Sequence, residues 1–137
     1  RASLSWVHLA TAVLDEGLGS DALFQEGRPL VRRAPDRIEA SGSVPFTRRF
    51  RGGAAARYVG AREDLDFLQD FSGARVELAG YTVFDAFGEV RLTRAIGRDL
   101  TLRARVENLL DRSYEEVAHF PASGRTLSVA LHAGTGL

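Results

Sequence analysis

The sequence predicts an all-β protein whose antiparallel strands run up and down in succession, the architecture of a transmembrane β-barrel. Two observations carry this prediction. Apolar and polar residues alternate with a period of two in blocks of about ten residues, whereas helical periodicity is weak throughout. The connections between the blocks alternate between long and short, as they do in barrels with short inner turns and longer outer loops. Six strands are predicted over the 137 residues.

The first three predicted strands lie in the first half of the chain. Ser3–Val13 is the least regular of them, because Trp6 and Val7 compete for the apolar face. Ile38–Phe46 alternates apolar or small residues with polar ones, and Arg51–Ala61 is rich in glycine and alanine. The apolar side of the third strand is expected to carry Ala54, Ala56 and Tyr58.

The last three predicted strands are Tyr81–Thr93, Leu100–Glu107 and Arg125–Ala133. Successive side chains of a strand point to opposite faces, so each of these segments has one apolar and one polar face. The clearest apolar face consists of Leu100, Leu102, Ala104 and Val106. Tyr81 and Phe84 are candidates for the aromatic girdle that barrels place at the membrane edges.

The lengths of the connections between the predicted strands indicate an up-and-down topology. Three are long, namely Leu14–Pro35, Arg62–Gly80 and Asp111–Gly124, and two are short, near Arg48–Arg51 and Gly97–Arg98. A soluble β-sandwich would scatter its long connections without this alternation.

The charged faces of the fourth and fifth strands restrict their register. These faces coincide only if the residue numbers of each opposed pair sum to an even number. A three-residue loop over Ile96–Arg98 satisfies this condition and predicts that Glu89 lies opposite Arg105, as a favourable cross-strand charge pair.

Composition excludes several classes of function. Eighteen basic and 18 acidic residues cancel, so nothing indicates a nucleic-acid partner. Cysteine is absent, which excludes disulfides and thiolate metal sites. The chain has no apolar run long enough for a transmembrane helix, as expected for strands that alternate in polarity.

No constellation of residues indicates an enzyme, a metal or a cofactor. His8, His119 and His132 stand apart from one another. The adjacent pair Glu115–Glu116 is expected to form a solvated loop face and not an acid/base pair. The remaining acidic cluster lacks the glycine turn and distal glutamate of an EF-hand loop, which leaves loop calcium as a minor alternative. That cluster consists of Asp64, Asp66 and Asp70.

Four arginines on the predicted polar face have two interpretations. They either contact an anionic ligand or pair with acidic residues along the wall of the barrel lumen, and the close interleaving of opposite charges favours wall pairing. The arginines are Arg57, Arg91, Arg103 and Arg105, and the acidic candidates are Asp85, Glu89 and Glu107.

The last third of the chain carries a family resemblance. The segment Glu107–Leu131 reads ENLLDRSYEEVAHFPASGRTLSVAL. It resembles the C-terminal signature of TonB-dependent outer-membrane receptors, in which N-L-hydrophobic-D-x-x-Y precedes a proline, a Gly-Arg pair and the final strand. The matching residues are Asn108, Leu109, Leu110, Asp111, Tyr114, Pro121, Gly124 and Arg125. Upstream, Leu30–Pro35 (LVRRAP) resembles the L-x-R-x-P element of receptors for vitamin B12 and siderophores.

The resemblance implies that residues 1–137 are the C-terminal part of a receptor barrel, the last six strands of a 22-stranded barrel whose plug domain lies upstream. It places the protein in the Gram-negative outer membrane, surrounded by lipid and inserted by the barrel assembly machinery. It implies active uptake of a siderophore, cobalamin or similar scarce nutrient, with TonB acting through the upstream part. The signature residues would have a structural role.

Two alternatives remain open from the residues alone. One is a small soluble up-and-down β protein that binds an apolar ligand, in which the apolar faces point inward. The other is a segment of a passive porin, which shares the fold and needs no plug.

Overall fold

The computed structural model describes residues 1–15, 17, 23–68, 73–95 and 98–135. All the regular structure of these residues is β-strand, and every strand pairing is antiparallel. Within the same residues, no helix has the length and apolar character needed to cross a membrane. The prediction of an all-β antiparallel protein is confirmed.

The strands are β1 Ala2–His8, β2 Asp36–Pro45, β3 Phe50–Val59, β4 Arg62–Asp66, β5 Ala74–Leu78, β6 Tyr81–Ala95, β7 Arg98–Glu107, β8 Glu115–Val117, β9 Phe120–Pro121 and β10 Thr126–Thr135. Six of them form one sheet in the order β1-β2-β3-β6-β7-β10. Each of the last five therefore pairs with the strand of that sheet that precedes it in the chain. The three long connections, residues 9–35, 60–80 and 108–125, consequently lie at the same end of the sheet, and we call them loops 1, 2 and 3.

The register gives the sheet one apolar and one polar face. A typical row across five strands of the apolar face contains Val44, Gly52, Gly88, Ala104 and Val129. The adjacent row on the opposite face contains Ser43, Gly53, Phe87, Arg105 and Ser128. Large side chains of the apolar face are exposed, with Leu4 at 75%, Trp6 at 65% and Val129 at 63% of their maximum area. Trp6 pairs with Ile38, which settles its competition with Val7 in favour of Trp6 on the apolar face.

Two details of the sheet differ from the prediction. Glu89 lies opposite Arg103, and Phe87 lies opposite Arg105, so the predicted pairing of Glu89 with Arg105 is wrong by one step of two residues. The even-sum rule holds, because a two-residue shift leaves every side chain on its face. A register irregularity between Leu92 and Ala95 displaces the turn. Arg98 belongs to β7, and the predicted loop residues Ile96 and Gly97 lie outside the described residues.

The first strand is shorter than predicted. β1 ends at His8, because the chain then turns away after Leu9 donates its N–H to Pro35 O at 2.7 Å. Val13, the predicted last residue of the strand, is buried within loop 1, where its backbone bonds Arg28 and Gly27.

Loops 2 and 3, which were expected to be irregular, contain short hairpins. β4 pairs with β5 in loop 2, and β8 pairs with β9 in loop 3. The alternation of apolar and charged residues in Ala74–Leu78 was the signal for the second strand of the first hairpin, whereas Arg62–Asp66 has one apolar residue and does not alternate. β8 and β9 have three and two residues, too few to produce a periodic pattern.

A small apolar core lies where the loops meet the sheet. Val59, Tyr81 and Val83 are buried there, and Ala34 and Tyr114 pack against them. Tyr81 is only 5% exposed, and its odd-numbered position puts it on the polar face with Val83 and Asp85. The prediction that Tyr81 belongs to a membrane-edge girdle is therefore wrong, whereas Phe84 lies on the apolar face and is 39% exposed.

Candidate functional site

Asn108 is the buried centre of the turn that follows β7. Its backbone has a left-handed φ of 50°, a conformation that asparagine tolerates better than most residues. The side-chain oxygen accepts the Arg112 N–H at 2.8 Å, and the side-chain amide donates to Arg112 O at 2.9 Å and to Ser123 O at 3.4 Å. Asn108 therefore joins the two ends of loop 3.

The turn is also attached to the neighbouring strand. The Asn108 N–H donates to Asp85 Oδ1 at 3.0 Å, and the next N–H, of Leu109, donates to Phe84 O at 2.7 Å. Asp85 also accepts a hydrogen bond from Arg105 at 3.1 Å. These bonds link the start of loop 3 to β6 and β7 together.

Asp111 connects the first half of the signature to its Gly-Arg pair. Its Oδ1 accepts the Arg125 N–H at 2.7 Å, and its own backbone has a φ of 54°. A Cβ atom added to Gly124 would lie 2.9 Å from the same oxygen, closer than real Cβ contacts allow. A side chain at position 124 would therefore require the flexible Asp111 carboxylate to shift.

Tyr114 folds back onto the sheet. Its ring stacks on Tyr81, with 4.0 Å between the centroids, and the Tyr81 hydroxyl donates to Glu116 Oε1 at 2.9 Å. The guanidinium groups of Arg57 and Arg62 lie 5.9 and 5.7 Å from the Tyr81 ring centroid, within cation–π range. Loop 3 thus covers the small core through aromatic stacking.

The remaining signature residues lie toward the solvent. The side chains of Leu109 and Leu110 are exposed, and Pro121 is an exposed residue of β9 opposite Glu115. The structure brings Asn108, Asp111, Gly124 and Arg125 together and places Tyr114 on the core, while Leu110 and Pro121 make no side-chain hydrogen bond or ring contact of their own. The signature's structural role stays a prediction that this geometry supports.

A second cluster forms around Asp64 in β4. The residue is fully buried, at 0% exposure. Its Oδ1 accepts Arg32 Nε at 2.6 Å and the Leu65 N–H at 2.8 Å, and its Oδ2 accepts the Ala118 N–H at 2.7 Å. Burial raises the pKa of Asp64, but the hydrogen bonds from Ala118, Arg32 and Leu65 outweigh burial and hold the pKa below its usual value.

Arg32 belongs to the L-x-R-x-P element of loop 1. Its φ is 60°, and its N–H donates to Glu63 O at 2.6 Å while its guanidinium reaches Asp64. Glu63 in turn pairs with Arg28 at 2.9 Å and with Arg75. The element therefore attaches loop 1 to the β4–β5 hairpin.

Loop 3 contacts the same hairpin at two further points. Arg62 donates to Glu115 O at 2.8 Å, and His119 lies 3.0 Å from Asp66. The Leu68 N–H, followed by His119, lowers the pKa of Asp66. Glu115 and Glu116 have separate partners, since Glu115 accepts the His119 N–H and Glu116 accepts the Tyr81 hydroxyl.

The polar face of the sheet carries paired charges. Arg105 lies 3.1 Å from Asp85 and 3.0 Å from Glu107, and Arg103 lies 3.7 Å from Glu89. Arg57 lies 3.9 Å from Glu116 of loop 3. For Arg103 and Arg105 the geometry favours pairing with the predicted acidic residues over contact with an anionic ligand, whereas the partner of Arg57 is a loop residue outside the predicted set. Arg91 lies opposite Thr101 on the same face.

Within the described part of the chain, no group of three or more histidine, cysteine or acidic residues is placed to hold a metal ion. Both carboxylate oxygens of Asp64 are occupied by N–H donors, and Asp70 lies outside the described residues. His8 faces Asp36 at 2.9 Å, His119 faces Asp66, and His132 is exposed in β10.

The backbone hydrogen bonds of Asp64 and Asp85 were not predicted from the sequence, although the pairing of Asp85 with an arginine of the polar face was. Both are acidic residues in strands, and their partners are backbone N–H groups and arginines distant in sequence. The one available signal for Asp85 was its position on a charged face near the end of β7 in the predicted pairing. Nothing in the local pattern around Asp64 indicates that it is buried.

Together these features describe an all-β, antiparallel segment like part of a TonB-dependent receptor. No family model matches the chain. Among curated proteins, the chain is similar to the vitamin B12 transporter BtuB of three strains of Vibrio cholerae serotype O1, with 29% identity over 119 residues in each case. The match covers 85% of this chain and 18% of each relative, so the chain spans less than a fifth of the length of the relatives it matches. These relatives are transporters and not enzymes.

Proposed function

We propose that this chain forms the last six strands of the 22-stranded barrel of a TonB-dependent outer-membrane receptor, which takes up cobalamin, a siderophore or a similar scarce nutrient. The observation that carries the proposal is the apolar face, which extends across all six strands with its large side chains exposed. An exposed apolar surface of this extent requires an apolar environment, and the lipid of a membrane supplies one.

The dimensions of the sheet support a membrane setting. Strands β2, β3, β7 and β10 each have ten residues, within the roughly 9–11 that a tilted transmembrane strand needs. Aromatic residues lie at both ends of the apolar face, with Trp6 and Tyr58 near the loops and Phe46 stacked on Phe50 near the short turn. Tyr58 and Phe50 are eight residues apart in β3, roughly 26 Å along the strand, which at a tilt of about 40° spans about 20 Å of the apolar band of about 25 Å in outer-membrane barrels.

The two edges of the sheet support the existence of neighbouring strands. Among the described residues, β1 pairs only with β2, and β10 pairs only with β7. Unpaired edges of this length promote aggregation in water, and closure of a barrel removes them. In the proposed receptor, upstream strands occupy both edges.

In the proposed receptor, the polar face of the sheet, the long loops and the parts upstream of this chain have different roles. The paired charges of the polar face line the interior beside a plug, and the three long loops lie outside the cell. The similarity to vitamin B12 transporters makes a cobalamin-like ligand the first candidate for transport, with TonB acting on parts upstream of this chain. None of the residues described here is assigned to bond-making chemistry.

An antibody against residues 111–124 of loop 3, applied to fractionated cells, tests the proposal. We expect an outer-membrane band several times larger than 14.9 kDa that changes mobility when the sample is heated, as folded barrels do. A soluble band near 14.9 kDa would contradict the proposal and favour a small β protein that binds an apolar ligand. A large heat-modifiable band without a plug-coding segment upstream would instead indicate a porin.

A further inference from the structure

The three long loops are tied together at one buried carboxylate. Arg32 reaches Asp64 from loop 1, Asp64 itself lies in loop 2, and Ala118 reaches it from loop 3. The side chain of Asp64 is fully buried, whereas those of the other inter-loop ion pairs are partly exposed, for example Arg28–Glu63 and His119–Asp66. Exposed pairs hold loops weakly, because water and salt compete for the charges.

We propose that Asp64 is a clasp that makes the three loops move as one unit, so that a contact at any one of them is transmitted to the other two. This clasp arises from the loop contacts themselves and does not depend on which ligand is transported, or on the number of strands in the barrel.

The geometry of the carboxylate explains why the amide of the same shape, asparagine, cannot replace it. One oxygen is used by Arg32 and by the Leu65 N–H, and the other is used by the Ala118 N–H. An asparagine at position 64 has one oxygen and one NH₂ group. Whichever way its amide is turned, the NH₂ group meets a donor, so one of the ties is replaced by a repulsive contact.

The neighbouring carboxylates do not compete with Asp64 for Arg32. Arg32 supplies the compensating positive charge at 2.6 Å. The nearby Glu63 is paired with Arg28 and Arg75, Asp66 is paired with His119, and the Glu115 carboxylate accepts the His119 N–H. The neighbouring carboxylates are thus satisfied by partners of their own and leave Arg32 to Asp64.

Pairs of spin labels test whether the loops are coupled. This chain has no cysteine, so introduced cysteines are the only thiols it contributes. Labels at the exposed positions Arg33 and Leu68 report the distance between loops 1 and 2, and labels at Leu68 and Phe120 report loops 2 and 3. The full protein in native outer-membrane fractions is compared with the Asp64→Asn variant by pulsed electron paramagnetic resonance.

We expect both distance distributions to broaden in Asp64→Asn, and exchange of the Ala118 amide hydrogen to accelerate about tenfold or more because its acceptor is disturbed. Glu77→Gln is the matched control, since it removes an exposed carboxylate from the same hairpin and should change neither distribution. Unchanged distributions and unchanged Ala118 exchange in Asp64→Asn would overturn the clasp.

A second variant keeps the test decisive if Asp64→Asn fails to assemble. Arg32→Gln alters only the tie to loop 1, and its side chain is half exposed, so folding should survive. The clasp predicts that the 33–68 distribution broadens and that the 68–120 distribution also broadens to a smaller extent, because an uncompensated buried charge is costly and the cluster around it, including the Ala118 bond, loosens to admit water. A change confined to 33–68 would show independent loops and overturn the proposal.

Discussion

The Asp111 carboxylate lies 2.7 Å from the backbone nitrogen of Arg125, although 14 positions separate the two residues in the chain. The bond spans the whole of loop 3 and places the start of β10 beside the end of β7. Asn108 spans the same loop from the other side, through its contacts with Arg112 and Ser123. The terminal signature therefore encodes a closed loop whose two ends are held together at the point where β10 begins to pair with β7.

Gly124→Ala should weaken this closure. The added methyl group would lie 2.9 Å from Asp111 Oδ1 and shift it relative to the Arg125 N–H, and weakening one such exposed bond costs about 0.5–1.5 kcal/mol. The temperature at which the heat-induced gel shift occurs measures the effect. In an Asp111→Ala background the same glycine substitution should cost much less, because the obstructing oxygen is gone; equal losses in both backgrounds would contradict the steric explanation.

Asn108→Ala should be among the more damaging single changes in loop 3. It removes the buried acceptor of the Arg112 N–H and two donors, for about 2–3 kcal/mol, and it puts alanine at a φ of 50°. Asn108→Gly loses the same bonds without the backbone strain and should therefore be less harmful by about 1 kcal/mol. Leu110→Ala, at an exposed side chain, serves as the control with little effect. Urea titration of the membrane-embedded protein ranks the three variants.

The sheet was predictable from sequence to a greater extent than the loops. Alternation along a strand depends only on which face is apolar, so Leu100–Val106 and its neighbours identify their faces without knowledge of the partner strand. The exact register of Glu89 was not predictable, because a two-residue shift preserves all faces and changes only which charges meet. The register irregularity near the turn, between Leu92 and Ala95, determines which charges meet.

The site was predictable only where local motifs define it. The residues around Asn108 and Asp111 carry a compact pattern, and the structure brings them together with Gly124 and Arg125. The hydrogen bonds of Asp64 come from two partners 32 and 54 positions away in the chain, and no local sequence pattern predicts such contacts. Tyr81 was misassigned for a related reason, since the ring that buries it, that of Tyr114, arrives from loop 3.

Gly53→Ala tests how closely β3 packs on its neighbours. A Cβ atom at this position would lie 2.4 Å from Gly42 O and 2.6 Å from the Phe87 ring, so backbone and side chain must both move. We expect a loss of about 1–3 kcal/mol and a reduced folded fraction. Gly134→Ala is the matched control in β10, with no atom within 4 Å of the added methyl, and it should be neutral. Equal behaviour of the two variants would contradict the close packing of β3.

Arginine substitutions at two adjacent positions of β10 test which face meets lipid. Val129 lies on the apolar face opposite Ala104, and Ala130 lies on the polar face opposite Arg103. Val129→Arg places a charge in the hydrocarbon and should cost about 2–4 kcal/mol near the membrane midplane, whereas Ala130→Arg should be tolerated. The heat-modifiable fraction in outer membranes compares the two variants. The reverse order, with Ala130→Arg the more damaging, would mean that the apolar face points inward and would exclude the barrel proposal.

The Asp64 clasp should be resistant to mild acid and should fail only at low pH. Because the pKa of Asp64 is lower in the folded loops than its ordinary value of 3.8, ionised Asp64 stabilises the cluster above that value, and this stabilisation is lost as the pH falls through the folded-state pKa. We expect the 33–68 and 68–120 label distances to stay constant from pH 7 to about pH 5 and to broaden only below about pH 4. The pKa of Asp66 is also lowered, so acid affects both residues. Asp64→Asn is therefore the comparison that isolates the clasp. Its label distances should already be broad at pH 7 and should change less on acidification. Broadening of these distance distributions near pH 6 in the protein without a substitution at Asp64 would show that another group holds the three loops together, because a carboxylate with a lowered pKa is still ionised at that pH.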